Sequence, residues 1–280
     1  MLAKMRVTVK PTHVIVVWDG GLSAERQVAL PEYKAQRPAM PDDLETQLDE
    51  IGRYLSAANL ASFCRAGVEA DDYIACLTRA AAQLGWEVVI ASADKDFMQL
   101  VAPGIGLLNP NDKSESIWTA VQVRTKTGVE PEQIVDWLSL LGDSVDNIPG
   151  VPGVGPKTAT ELLRQFGSVA ELYRRLDEVK STRIRAALRL AEADVRRNQK
   201  LVRLQDDLDC DFSPAALAEQ PVNAGRLVEL FGEWGFRSLR AELEASLGDR
   251  AAAVTRAKSV PVDETAEVYV AAETRQENLL

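Results

Sequence analysis

Short apolar segments alternate with amphipathic helical patterns over the first hundred residues, and this alternation most constrains the fold. A β-branched run, HVIVVW at 13–18, ends in Asp19-Gly20-Gly21. Further apolar segments at 61–64 and 87–91 follow it, and a helical pattern precedes each of them. Strand–helix–strand alternation is typical of a mainly parallel sheet with helices on both faces. We therefore predict an α/β fold for this half of the chain.

The second half of the chain is predicted to be helical. Helices are expected near 131–141, 156–166, 168–177, 181–203, 223–234 and 237–246. These patterns predict an α/β domain at 1–120, a helical region at 121–246, a linker at 247–263 and the start of a further domain at 264–280.

Composition excludes several classes of protein. The chain has 280 residues, three cysteines and one histidine, His13. Three scattered cysteines provide neither a disulfide framework nor a cysteine zinc site, and a single histidine excludes His-rich metal centres. No apolar run approaches the roughly 18 residues that a membrane helix needs, and the stretch 14–18 is too short for a signal peptide. We expect a cytoplasmic protein with no membrane partner.

The charge is distributed unevenly along the chain. The net charge is −10, yet residues 153–204 hold 12 Lys and Arg against 6 Asp and Glu, which is +6, so the rest carries −16. A basic segment beside an acidic remainder fits phosphate binding next to carboxylates that hold divalent metal. Solvated helix faces explain the same pattern.

Four acidic clusters follow predicted strands or lie in loops. They are Asp19, Glu69-x-Asp71-Asp72, Asp94-x-Asp96 and Asp143-x-x-Asp146. The carboxyl ends of parallel strands share one crevice, so the first three clusters are expected to converge there. Carboxylates in one cleft need cations, and oxygen ligands without His or Cys select Mg²⁺ or Mn²⁺. Two such ions suit phosphodiester hydrolysis. Any single cluster also fits a helix cap, but four clusters disfavour that explanation.

A glycine-rich segment follows the last acidic cluster. Gly153 and Gly155 permit a tight turn, and Pro156 suits a first helical position. The backbone N–H groups at this helix start, together with Lys157, predict a phosphate site that reads no base. The spacing excludes a Walker loop. Alone, the segment fits a plain structural turn equally well.

Four segments together resemble a known nuclease family. They are YKAQRP (33–38), GVEADD (67–72), SADKD (92–96) and GDSVDNIPGVPGVGPKTA (142–159). They are similar to the 5′→3′ exonuclease domain of bacterial DNA polymerase I, in the flap endonuclease family, and the resemblance runs from about residue 11 to 246. It implies a structure-specific 5′→3′ DNA exonuclease or 5′-flap endonuclease with two-metal hydrolysis. The implied substrates are DNA flaps, nicks and ends in replication and repair, including primer removal.

The resemblance also implies roles for individual residues. The implied metal ligands are Asp19, Glu69, Asp71, Asp72, Asp94, Asp96, Asp143 and Asp146. Lys34 and Arg37 are implied as catalytic residues of a helical arch that passes the 5′ strand. The implied DNA contacts are Arg26, Lys34, Arg37, Gly153, Gly155, Lys157 and Thr158. A helix–three-turn–helix element at about 143–166 is expected to grip duplex DNA and bind K⁺. For the three arch residues, ordinary loop charge is the alternative.

The sequence departs from the family pattern at its start. The family begins with a strand that ends in an Asp-Gly pair, followed by a helix, and Met1 falls near the end of that helix. Glu25 replaces an aromatic residue. We therefore expect a truncated chain that binds DNA but cleaves poorly. Residues 267–280 are similar to the opening of the next polymerase I domain, so we expect continuity with a polymerase in the full-length protein, and a monomer.

Two other functions compete with the nuclease. One is a catalytically impaired DNA-binding fragment of DNA polymerase I. The other is a PIN-type ribonuclease with the same acidic α/β core, which the glycine segment and the arch residues disfavour.

Overall fold

The computed structural model describes residues 2–112, 114, 116–210 and 212–258, with side chains as far as 248. The chain divides into two compact units, Met1–Pro221 and Val222–Leu280. The predicted domain start at 264–280 lies outside the described residues. None of the described helices has the length and apolar character needed to cross a bilayer.

The described part of the first unit contains three small sheets, and the first two of them hold five strands. Their strands are β1 (Ile15–Val17), β2 (Ala61–Phe63), β3 (Val88–Ala91), β4 (Ile105–Leu108) and β5 (Ile117–Trp118). β1 runs parallel to β2, with Ile15 opposite Ala61. β3 runs parallel to β4, and β5 pairs antiparallel with β4. The predicted mainly parallel α/β fold is confirmed, and its strands form small separate sheets, since no described strand joins β1 to β3.

Helices surround these sheets and build the rest of the first unit. They are α1 (Leu2–Val9), α2 (Ala24–Ala29), α3 (Asp42–Ala57), α4 (Ala70–Gln83), α5 (Ala120–Thr127), α6 (Ile134–Leu141), α7 (Pro156–Phe166), α8 (Val169–Arg174), α9 (Thr182–Leu190), α10 (Glu192–Val202) and α11 (Pro214–Leu217). β1 and β3 both pack against α4, so this helix lies against both of these sheets.

Helix α4 begins one position before the predicted aspartate caps. Its N-cap residue is Glu69, whose side chain makes no capping bond, and Asp71 and Asp72 lie in the first turn. Negative charge in the first turn is favourable to the helix dipole. The carboxylates of this segment are therefore not used as caps and are available for other contacts.

The helical half is organised around α6 and α10, which pack against each other. Asn198 of α10 is fully buried and donates to the carbonyls of Ser139, at 3.1 Å, and Pro149, at 2.7 Å. The helix predicted at 181–203 is two helices, since the chain turns at Ala191, whose N–H is shared between two carbonyls. No Gly or Pro marks that turn, so the sequence pattern does not reveal it.

A short hairpin separates α6 from α7. Its strands are β6 (Gly142–Asp143) and β7 (Ile148–Pro149), paired antiparallel. Gly142 has φ +71°, and a Cβ on Gly150 would lie 1.9 Å from the carbonyl oxygen of Leu141. Only glycine fits at these two positions. The helix–turns–helix arrangement is present, but its first helix begins at 134, earlier than the predicted start near 143.

The second unit contains helices α12 (Ala224–Glu233) and α13 (Arg237–Lys258). The sequence predicts a linker from 247, whereas α13 continues to 258. The run of alanines at 251–253 explains the difference, because alanine has the highest intrinsic helix propensity.

Candidate metal centre and nucleic-acid interface

Three carboxylates from separate parts of the chain meet at one point. Asp96 lies in a short 3₁₀ helix after β3, and Asp143 and Asp146 lie in the hairpin before α7. One carboxylate oxygen from each lies within 4.8 Å of the other two. The Asp96 Oδ1 atom is buried and has no hydrogen-bond partner. An orphaned buried oxygen is costly, so this donor set fits a hard divalent cation.

Asp94 acts electrostatically on Asp96 of this group and on Asp71 of α4. Its Oδ1 accepts from the N–H of Asp96 at 2.9 Å, which caps the 3₁₀ helix. Burial, and then repulsion from Asp94, raises the pKa of Asp96 to about 8. The same two causes raise the pKa of Asp71 to about 6. Asp94 therefore couples Asp71 on α4 to the carboxylates of the hairpin.

These raised pKa values predict a pH dependence of metal binding. Asp96 and Asp71 stay protonated in the metal-free fold at pH values where an ordinary Asp, with a pKa near 4, is ionised. Their contribution to stability is complete below about pH 4 and is lost as the pH rises to about 8. Between about pH 6 and 8 Asp71 is mostly ionised and Asp96 is still protonated, so a metal ion displaces about one proton and its affinity should rise by about tenfold per pH unit.

Calorimetric titration of Mn²⁺ at pH 6, 7 and 8, in buffers of different ionisation enthalpy, measures both the affinity and the protons released. The exposed Asp177 provides a control, since Asp177→Asn should leave the pH dependence unchanged. An affinity that does not vary with pH, with no proton release, would contradict the assignment of the protons.

Glu69 is enclosed by donors from the segment before α3. Its side chain is 3% exposed, and it accepts from the Ser23 N–H and the Tyr33 hydroxyl, each at 3.1 Å, and from Lys34 Nζ at 2.5 Å. Burial acts to raise the pKa of Glu69, but the Lys34 bond and the Arg26 charge outweigh it and hold the pKa below its usual value. Glu69 is thus ionised and fixed in place.

The turn segment at 31–37 lies directly on the hairpin. The Lys34 N–H donates to the carbonyl of Asp146 at 3.0 Å, and Lys34 has φ +55°, which is rare for a residue with a side chain. Arg37 Nη2 donates to Asp146 Oδ1 at 2.6 Å. The Asn147 side chain donates to the carbonyl of Glu32 at 2.8 Å. Lys34 and Arg37 therefore both contact carboxylates of the predicted metal set.

Arg26 and Asp72 are placed differently from the sequence-based prediction. Arg26 is 5% exposed and donates to both oxygens of Asp72, at 2.6 and 2.7 Å. Asp72 also accepts from the N–H of Gln205 at 2.9 Å, and Arg26 donates to the carbonyls of Leu201 and Arg203. The structure gives Arg26 no surface for DNA and uses Asp72 as its buried counter-ion. The sequence around Arg26 and around Asp72 does not indicate this pairing.

Asp19 lies at the end of β1 and is exposed to solvent. Its Oδ1 accepts from the N–H of Gly21 at 2.8 Å. The next residue, Gly20, bonds through its backbone to Gly67 and Val68, so Asp19 is held beside the loop that precedes Glu69. A Cβ on Gly20 would lie 1.8 Å from the carbonyl oxygen of Arg65, which explains the glycine.

The start of α7 carries the predicted phosphate-binding residues. Gly155 is the N-cap and makes no side-chain capping bond, and the first turn holds no acidic residue. Gly153 has φ +81°, Lys157 is exposed, and Thr158 is half-buried. Free N–H groups at a helix start, next to an exposed lysine, suit a phosphate group. Asp146 is only nine residues before Gly155, so this helix start follows the carboxylate group closely in the chain.

Sequence reasoning missed Lys95. Its Nζ donates to Asp143 Oδ2 at 2.5 Å, from a position between Asp94 and Asp96 in the chain. The signal was present, since a lysine flanked by two predicted metal ligands is bound to lie among carboxylates.

Comparison with known proteins identifies the family. A model described as the 5′-3′ exonuclease N-terminal resolvase-like domain matches residues 1–128, and one described as the 5′-3′ exonuclease C-terminal SAM fold matches 129–225. A 5′-3′ exonuclease of Aquifex aeolicus is 36% identical over 235 residues, which are 84% of this chain and 79% of that protein. The chain belongs to the 5′-3′ exonuclease family.

Other relatives and solved structures agree with this family. DNA polymerase I of Bacillus caldotenax is 36% identical over 247 residues, 88% of this chain. The exonuclease-family chain spans only 28% of that polymerase's length. A structure of the phage T5 5′-exonuclease with bound zinc ions has a TM-score of 0.64 and 26% identity, covering 73% of this chain and 79% of that one. The Rad2 catalytic core, at 16% identity and a TM-score of 0.56, shares the fold over 81% of this chain and 76% of that one.

Proposed function

We propose that this 5′-3′ exonuclease hydrolyses DNA phosphodiester bonds near 5′ ends, at flaps and nicks, with two Mg²⁺ or Mn²⁺ ions. Removal of primers and flaps in replication and repair, in the cytoplasm and alongside a DNA polymerase, is the role that fits this activity. The relatives support it, since one is a 5′-3′ exonuclease and another is a DNA polymerase I. A T5 flap endonuclease with a similar fold, at a TM-score of 0.63 and 26% identity, was solved as a complex with DNA and metal ions.

The observation that carries the proposal is the carboxylate group of Asp96, Asp143 and Asp146 with its orphaned oxygen. Two of its members lie in the hairpin that leads into α7. One continuous segment therefore carries both candidate metal ligands and a candidate phosphate site. That arrangement suits an enzyme that cuts one bond while it holds the DNA backbone elsewhere.

The proposed roles of the residues follow from their positions. Bound divalent ions would supply an activated water and would stabilise the leaving oxygen. Asp96, Asp143 and Asp146 are proposed to hold one ion, while Asp71 and Asp94, with Asp19 at the crevice edge, serve the other. Arg37 is 45% exposed and is proposed to bind the reacting phosphate. Lys34 holds Glu69 in its ionised form, and K⁺ binding at the turns between α6 and α7 is part of the same proposal.

Replacing Lys157 with alanine tests whether the start of α7 binds the backbone of duplex DNA. The variant loses one phosphate contact, so DNA affinity should fall by a similar factor for every sequence. The slope of log K against log salt should decrease by about one unit. Fluorescence anisotropy with Ca²⁺ at several salt concentrations measures the slope.

Lys126→Ala is the matched control, because Lys126 is an exposed lysine on α5 and lies outside the glycine-rich segment. It should leave the slope unchanged. An unaltered slope in the Lys157 variant, or an altered sequence preference, would show that the glycine segment is only a structural turn.

Single-turnover cleavage of a 5′-flap DNA with Mg²⁺, beside binding of the same DNA with Ca²⁺, tests the function itself. Cutting with Mg²⁺ or Mn²⁺, and binding without cutting in Ca²⁺, are expected because the ligands are all oxygens. Binding without cutting in every metal would instead support a DNA-binding fragment. Faster cutting of a matched RNA would support a ribonuclease, and Zn²⁺-specific cutting would contradict the metal assignment.

A further inference from the structure

The carboxylate group of Asp96, Asp143 and Asp146 is balanced by charges that the chain itself supplies. Arg37 pairs with Asp146 at 2.6 Å. Lys95 Nζ lies 2.5 Å from Asp143 Oδ2, and Asp143 is 8% exposed. Three carboxylates within 4.8 Å of one another repel strongly unless cations or protons compensate. Asp146 and Asp143 therefore each have a cationic partner, and for Asp143 that partner is Lys95.

Lys95 and Arg37 differ in the carboxylates that attract their positive charges. Burial acts to lower the pKa of Lys95, but the bond and charge of Asp143, and then the charges of Asp96 and Asp94, outweigh it and raise the pKa. The ammonium thus contacts Asp143 and is also attracted by the charges of Asp96 and Asp94. Its side chain is 39% exposed, so a flexible four-carbon stem can withdraw toward solvent.

We propose that Lys95 is an internal counter-cation that holds Asp143 in place without metal and is displaced when a divalent ion takes the same oxygen. This inference rests on the proposed metal centre. Lys95 and a cation compete for Asp143, so the lysine lowers metal affinity while it stabilises the metal-free fold. It is a positioning residue, since it acts through Asp143.

Lys95→Met tests the competition, because methionine keeps the length of the side chain and removes its charge. We expect the metal-free melting temperature, measured in EDTA, to fall by roughly 3 °C. We expect the Mn²⁺ affinity, measured by electron paramagnetic resonance or calorimetry, to rise roughly tenfold. Lys95→Arg should keep both values close to those of the parent protein. Lys126→Met makes the same charge change at an exposed site and should change neither value.

The outcomes separate this inference from the proposed function. Equal or weaker Mn²⁺ affinity in Lys95→Met, or an unchanged melting temperature in EDTA, overturns the inference and leaves the metal centre standing. Absence of Mn²⁺ binding in the parent protein and in every variant overturns the metal centre itself, and the inference with it. A tighter Mn²⁺ complex together with a less stable metal-free protein supports it.

Discussion

Replacing Asp94 with asparagine is expected to lower the single-turnover cleavage rate of a 5′-flap DNA by about a thousandfold or more. Asp94 is the carboxylate that most raises the pKa of both Asp71 and Asp96, after burial, so its charge acts on proposed ligands of both ions. Loss of its charge loosens both ions in a mechanism that depends on their geometry. DNA affinity in Ca²⁺ should change by less than about threefold, because phosphate contacts elsewhere supply most of it.

The fold should survive this change. Asp94 caps the 3₁₀ helix by accepting from the Asp96 N–H, and asparagine caps equally well. Asp112 provides a matched control, since its Oδ1 accepts from the N–H of Ser114 in the same way in an exposed loop. Asp112→Asn should cleave at the parent rate. A loss of less than about tenfold in Asp94→Asn, with the fold intact, would place the reaction elsewhere.

Replacing Asp72 with asparagine should have the opposite effect. The protein should lose stability and keep its cleavage rate. The change leaves the buried guanidinium of Arg26 without its counter-ion, which costs about 3–5 kcal/mol for a buried pair. We expect the lower end, about 3 kcal/mol, because Glu69 Oε2 still lies 3.4 Å from Arg26 Nη1. Urea unfolding measures the loss. The cleavage rate, at a temperature where the variant is folded, should stay within about threefold of the parent.

An exposed ion pair provides the control for this prediction. Arg79 and Asp206 lie 3.6 Å apart with about half of each side chain exposed, so Asp206→Asn should cost less than about 1 kcal/mol. If Asp72→Asn instead loses cleavage as Asp94→Asn does, without loss of stability, the metal-ligand role predicted from the sequence for Asp72 is restored.

The apolar patterns in the sequence predicted the strands that end near an Asp or Gly. They missed the strands that have no such residue near their ends. β1, β2 and β3 lie where the apolar runs predicted them. β4 is a four-residue run, IGLL, with a glycine inside it, and β5 has two residues, so neither stands out from loop sequence. Division of the strands into two sheets depends on pairing between distant segments, which no local pattern encodes. The Ala191 turn between α9 and α10 is set by packing against α6.

Residue type and spacing predicted that acidic side chains would meet, and their roles as metal ligands stay a prediction. Asp96, Asp143 and Asp146 meet in space as the resemblance implies. Arg26 and Asp72 have the same residue types as neighbouring site residues, and only their two direct hydrogen bonds in the folded chain identify them as a structural pair. Lys95 was overlooked because its charge is opposite to that of the ligands around it. Charge balance within a cluster is a property of three-dimensional proximity, so the pattern of acids alone does not identify the compensating cation.

The segment from the hairpin to α7 is tightly packed. Gly142 and Gly150 pack so closely against their neighbours that a single added carbon does not fit, and Asn198 ties Pro149 to α10. The separation between the carboxylate group and the start of α7 is therefore a fixed length. If the start of α7 holds a phosphate as proposed, this fixed length would determine which bond, a set number of nucleotides away, reaches the carboxylates.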